Sequence, residues 1–133
     1  MGILDRANKE FDFEIVDEFL DHFDVMREQM QPTILALEDG GGYSMRIDEL
    51  FRIFHNLKSA CSYLRFERVN RLAAFVENSL EEARHAKGPA SEIYIDWLLK
   101  ISDQFSLWYL DIANNHDRFT AVDFSLFNDP SAR

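Results

Sequence analysis

A single cysteine, Cys61, leaves no partner for an intramolecular disulfide and no cysteine-based metal site, so its thiol is expected to be a small core group. Basic residues are few for the acid present: 14 Lys and Arg stand against 24 Asp and Glu, a formal net charge of -10. Such a surface repels phosphate backbones and anionic lipid, which argues against nucleic acid or a membrane as partner. No stretch approaches the ~18 uncharged apolar residues of a membrane span, and the opening MGILDRANKEFDFE holds no apolar run of signal-peptide length. A cytoplasmic location is expected. Low-complexity segments and internal repeats are absent, and nothing alternates over a strand length. A Gly-rich phosphate loop is also missing, which argues against ATP binding by this chain, and no cofactor is expected.

What remains is apolar and periodic. Hydrophobic residues make up 47% of the 133 and aromatics 14%, with only 5 Gly and 3 Pro, a composition that fits one packed domain over 1–133. Phe13, Val16, Phe19, Leu20, Phe23, Met26, Met30, Ile34 and Leu37 recur every three or four positions and predict a first helix from Asp12, firm to about Gln31, where Pro32 should kink or restart it. Gly40, Gly41 and Gly42 predict a loop. A second stripe runs from Ile47 to Leu64 and a third from Val69 to Ala83, separated by a few residues around Arg65, as in an antiparallel hairpin. Gly88-Pro89 is expected to end the third helix, and Ser91 to cap a fourth stripe from Ile93 to Ile112. The prediction is all-α: an antiparallel up-down four-helix bundle over about 12–114, with a short helical or extended tail over 115–133. Phe119, Val122, Leu126 and Phe127 have the spacing of one short amphipathic helix, expected to pack on the bundle and cover apolar surface, the alternative being a docking segment for a partner.

Four histidines occur, and only one has chemically suggestive neighbours. His55 follows the core position Phe54, and Arg52, Lys58, Ser59 and Ser62 lie at the spacings that share its face. That face is cationic and built of small residues. Lys58, one turn on, can pair with phosphate oxygens on the imidazole, and Ser59 leaves room for approach. His55 is ten residues before Arg65 and Glu77 twelve after it, so the hairpin puts the two at nearly the same height. A carboxylate there can accept the Nδ1 proton, fix the tautomer and leave Nε2 as the nucleophilic nitrogen.

The segment LFRIFHNLKSACSYLRF, residues 50–66, resembles the signature of histidine phosphotransfer domains, in which the accepting histidine is followed by apolar, lysine and small residues. LAAFVENSLEEAR, residues 72–84, is similar to the third helix of the phosphotransfer domain that begins chemotaxis-type histidine kinases. The resemblance implies a phosphorelay intermediate rather than an enzyme, with His55 as acceptor, Lys58 assisting the phosphate and Glu77 hydrogen-bonding the histidine. It implies a response-regulator receiver domain or a histidine kinase as partner, docking over Phe51, Arg52, Ser59 and Ser62, with metal and ATP sites on those partners. Two positions depart from the family pattern. Ser59 stands where Gly is usual, and Arg65 stands where a Gly commonly ends the second helix, so Arg65 must take a left-handed cap or end the helix differently. A monomer is expected, acting as a free-standing carrier or as a fragment of something larger.

Two rival functions fit the residues less well. A helical module that binds a receiver or kinase without accepting phosphate has no chemical need of His55, Lys58 and Glu77 together. A carboxylate-rich metal site of the ferritin-like kind needs Glu-x-x-His pairs, and none occurs; His22 follows Glu18 by four. No metal is expected. His85 and His116 fall near helix ends, where a cation suits the helix dipole.

Overall fold

In the computed structural model, which describes residues 1–130, five α-helices carry the fold: α1 (Ile3–Glu10), α2 (Phe13–Leu35), α3 (Tyr43–Tyr63), α4 (Glu67–Ala83) and α5 (Glu92–Ala113). Single 3₁₀ turns follow at Ala36–Glu38, Gly40–Gly42 and Phe124–Phe127, and the described residues form no strand. The protein is all-α, with helices α2 to α5 forming the expected bundle. α3 packs most extensively on α4, and α2 packs on both α3 and α5. The stripes read from the sequence face inward: Val16, Phe23 and Ile34 of α2, Leu50, Phe54 and Leu57 of α3, Leu72 and Val76 of α4, and Leu98, Phe105 and Trp108 of α5 are all buried.

Helix α2 continues through Pro32 to Leu35 as one helix, beyond the Gln31 to which the sequence made it firm. Proline removes one backbone bond, at a cost of about 3 kcal/mol inside a helix. Here the loss falls in the last turn, and Met30, Ile34 and Leu37 on the same face are completely buried. Their packing outweighs the missing bond, and the Thr33 hydroxyl donates to the Gln29 carbonyl beside it (2.8 Å). The glycine run forms a 3₁₀ turn rather than an open loop, with Asp39 Oδ1 accepting the Gly41 N–H (3.1 Å), so that α3 begins at Tyr43, four residues before Ile47.

The third helix also ends earlier than expected, at Ala83 rather than at Gly88-Pro89. Tyr43 is the cause. Its buried hydroxyl donates to the Ala83 carbonyl (2.9 Å), taking an acceptor at the helix end. A Cβ on Gly88 would lie 2.3 Å from Tyr43 Cγ, so the chain leaving α4 crosses this ring at a distance only glycine allows. Ser91 caps α5 as expected, accepting the Tyr94 N–H (3.2 Å).

Two elements complete the bundle. α1, which no apolar stripe in the sequence announces, is held to the end of α5 by polar contacts: Ile3 N donates to His116 O (2.8 Å), Asp5 N to Asn115 Oδ1 (3.0 Å) and Arg6 Nη2 to Asp117 O (2.7 Å). Of the two forms expected of the tail, its described residues 115–130 take mostly the irregular, non-helical one, with one 3₁₀ turn at Phe124–Phe127 in place of a short amphipathic helix. Its carbonyls are engaged by the bundle. Trp108 Nε1 donates to Thr120 O (2.9 Å) and Trp97 Nε1 to Leu126 O (3.0 Å), while Phe119 and Phe127 meet the rings of Phe66 and Phe75. The tail thus covers apolar side chains of both α4 and α5.

The α3–α4 connection is a left-handed cap at Arg65 (φ 62°), closed by Phe66 N to Cys61 O (2.8 Å) and Arg65 N to Ser62 O (3.2 Å). A non-glycine residue in that conformation costs about 1–2 kcal/mol. Arg65→Gly is therefore expected to stabilise the fold by roughly 0.5–1 kcal/mol, since the exposed Arg65–Glu10 ion pair it sacrifices contributes little. Urea unfolding measures this; a loss of more than about 1 kcal/mol would contradict the cap assignment.

Candidate functional site

Helix α3 presents His55 outward because its neighbours Phe54 and Leu57 are completely buried. The imidazole is half exposed, with 52% of its side-chain surface open to solvent. Opposite it on α4, Ala73, Val76 and Leu80 are fully buried, and Glu77 borders that stripe at 7% exposure. The hairpin brings the two together as its arithmetic predicts. His55 Nδ1 pairs with Glu77 Oε1, and Lys58 Nζ donates to Glu77 Oε2 (2.5 Å).

One carboxylate thus receives two donors from consecutive turns of the facing helix. Burial opposes ionisation of Glu77, but the hydrogen bonds from Lys58 and His55, and the charge they carry, outweigh it and hold the carboxyl below its usual range. Glu77 is therefore an acceptor only. The proton on the shared bond belongs to Nδ1, so in the neutral imidazole the lone pair is on Nε2. No hydrogen bond to Nε2 is formed among the described residues. Chemically, the arrangement offers an exposed, oriented imidazole nitrogen with a buried negative charge behind it and an ammonium one turn away. Lys58, read from the sequence as a ligand for phosphate oxygens, is engaged with Glu77 here.

Arg52, Ser59 and Ser62 are exposed along α3 on the His55 side. Phe51 is half-buried and lies nearly parallel to the His55 ring, with centroids 6.1 Å apart and planes at 11°. A feature that sequence reasoning missed joins it here: the Arg84 guanidinium sits over the Phe51 ring, 4.6 Å from its centroid. The hairpin register brings the two near each other, since Arg84 caps α4 two turns beyond Glu77 and Phe51 lies one turn before His55 on α3, but neither residue type marks the contact in the sequence.

The other histidines have different surroundings. His116 Nδ1 meets the buried Asp111 (2.8 Å), but the second oxygen of that carboxylate accepts the Thr120 N–H (2.6 Å) and not a lysine. His85 Nε2 lies 3.7 Å from Glu81, and His22 is exposed beside the groove between α2 and α3. Cys61 is fully buried, and desolvation pushes its thiol up to about 12, which makes it inert as a nucleophile. Among the described residues no three His, Cys, Asp or Glu side chains gather as a metal-holding group, and no helix is long and apolar enough to cross a membrane.

A model of the Hpt domain family matches residues 14–108, which takes in α2 to α4 and most of α5. Among curated proteins, the chemotaxis protein CheA of Borreliella burgdorferi is 30% identical over 103 residues, 77% of this chain. The chain spans 12% of that protein's length. No solved structure was matched.

The polar contacts at Glu77 predict a pH signature. Because the folded-state pKa is depressed, the stability it contributes is present above the unfolded value of about 4.3 and is lost as pH falls through the folded value. Glu77→Gln should therefore be less stable than wild type by about 1–3 kcal/mol at pH 7, and the gap should shrink below about pH 4. Urea unfolding across pH measures it, and a gap that stays constant down to about pH 3 would show that the ionised carboxylate is not the group being held.

Proposed function

The chain belongs to the Hpt, or histidine phosphotransfer, domain family, and from that we propose that it carries a phosphoryl group on His55 Nε2 in a two-component phosphorelay. The observation that supports this reading above all is the single buried carboxylate shared by His55 and Lys58. Nε2 attacks the phosphorus of an aspartyl phosphate on a receiver domain. The N–P bond forms as the P–O bond to the aspartate breaks, and the carboxylate leaves with the electron pair. The ring, with Nδ1 still protonated, becomes a phosphorylated imidazolium whose positive charge faces ionised Glu77. Transfer in the other direction, or from a histidine kinase, uses the same nitrogen.

Lys58 completes the charge balance. Its ammonium, one turn from the imidazole, turns from Glu77 Oε2 toward the phosphoryl oxygens as they arrive. In-line phosphoryl transfer rests mainly on positioning and on neutralising charge, both of which these side chains supply without a metal or nucleotide of their own. Arg52, Ser59, Ser62 and Phe51 form the face on which the receiver docks. The chain acts as a cytoplasmic monomer and as a carrier whose partners bring the catalytic ion.

The assignment is tested by phosphorylating wild type, His55→Gln and His116→Gln with the same donor, a phosphorylated receiver or a kinase. Wild type and His116→Gln should take up label that is lost rapidly in acid and retained in base, the behaviour of a phosphoramidate. His55→Gln should take up none. Acid-labile label on the His55→Gln protein would sink the assignment, and a wild type that labels with no competent donor would favour a module that binds without accepting phosphate.

A further inference from the structure

We propose that Arg84 is a positioning residue for His55, acting through the ring of Phe51; this rests on the reading of His55 Nε2 as the phosphorylated nitrogen. The Glu77 hydrogen bond at Nδ1 and the covalent bond to Cβ hold the imidazole at two points and leave it free to tilt about the line between them. A second contact on the plane of the ring is needed to aim Nε2. Phe51, one turn before His55 on the same helix, supplies it with planes only 11° apart. Phe51 is itself half-buried at the edge of the core and needs a neighbour to hold its tilt.

Arg84 is placed to do this. Its guanidinium lies 4.6 Å from the Phe51 centroid, and carboxylates from both helices of the hairpin orient it. Asp48 Oδ1 on α3 accepts from Nε (3.0 Å), and Glu81 Oε2 on α4 accepts from Nη1 (2.9 Å). A planar cation held at two edges is restrained in its attitude toward the ring it covers. The imidazole is then set from two sides, by Glu77 at Nδ1 and by the Arg84–Phe51 pair on its plane. An ion pair that only tied α3 to α4 would not require the guanidinium to sit over the phenyl ring that is stacked with the imidazole, and that difference is measurable.

The test uses the full chain, labelled with ¹⁵N, as wild type, Arg84→Ala, Phe51→Leu and the double variant, with Arg84→Met as a variant that keeps the aliphatic stem over the ring. Long-range ¹H–¹⁵N spectra report the His55 tautomer, and single-turnover transfer from a phosphorylated receiver reports rate and affinity separately. Arg84→Ala should slow transfer about three- to tenfold with receiver affinity unchanged, and should move the His55 nitrogen shifts as the ring, still held at Nδ1 by Glu77, loses its contact with the Phe51 ring. Arg84→Met should do the same while melting like wild type. The double variant should be no slower than Phe51→Leu, because both changes remove one brace. Unchanged His55 nitrogen shifts in Arg84→Ala and Arg84→Met, or losses that multiply in the double variant, would overturn the proposal. If no receiver phosphorylates wild type, the phosphorelay reading fails while the spectra still decide whether Arg84 sets the ring.

Discussion

The Glu77 carboxylate is the group around which the α3–α4 hairpin is organised. A carboxylate buried to 7% exposure is unfavourable unless hydrogen bonds replace the water it has lost. Both replacements come from α3, one turn apart, so Glu77 is satisfied only when the two helices stand at one relative height. That height is set by the connection between them. The left-handed cap at Arg65 turns the chain within a few residues and lets α4 return along α3 with Glu77 level with His55. Apolar packing beneath the site holds the hairpin closed, since Phe54, Leu57, Val76 and Leu80 are all removed from water.

The same register explains why the pairing at the site was legible in the sequence. Counting outward from Arg65 pairs His55 with Glu77, and the structure joins them. The same count carried two turns further pairs Asp48 with Arg84, which also meet. That second pairing was not legible because neither residue is unusual by type, and nothing in a linear sequence marks a guanidinium as lying over a ring rather than in water. The left-handed cap was likewise one of two endings open to the chain at Arg65. The structure adopts it because Phe66 and Leu64 are both drawn into the core.

What the periodicity did not reveal is held by backbone and polar contacts instead of by stripes. α1 buries only Ile3 and Ala7 and is fastened through Asp5 and Arg6 to the turn after α5, contacts between residues more than a hundred positions apart. The end of α4 depends on a Tyr43 hydroxyl forty residues away. The tail has the spacing of a helix, but two tryptophan N–H groups on α5 capture its carbonyls and keep most of it irregular. Pro32 shows the converse, a local breaker overruled by the burial of Met30, Ile34 and Leu37.

Chemically, the two nitrogens of one imidazole have different roles in the proposed transfer. Nδ1 is held by ionised Glu77, and Nε2 is left to meet phosphorus. An exposed histidine without that partner would present either nitrogen and would leave the positive charge of the phosphorylated ring without a counter-ion. The most direct measurement is the ¹⁵N spectrum of the phosphorylated, ¹⁵N-labelled chain, in which the nitrogen bonded to phosphorus is identified by its coupling to ³¹P. The expected coupling is at His55 Nε2, with Nδ1 still protonated. Coupling at Nδ1, or at a nitrogen of any other histidine, would contradict the division of roles between the two nitrogens.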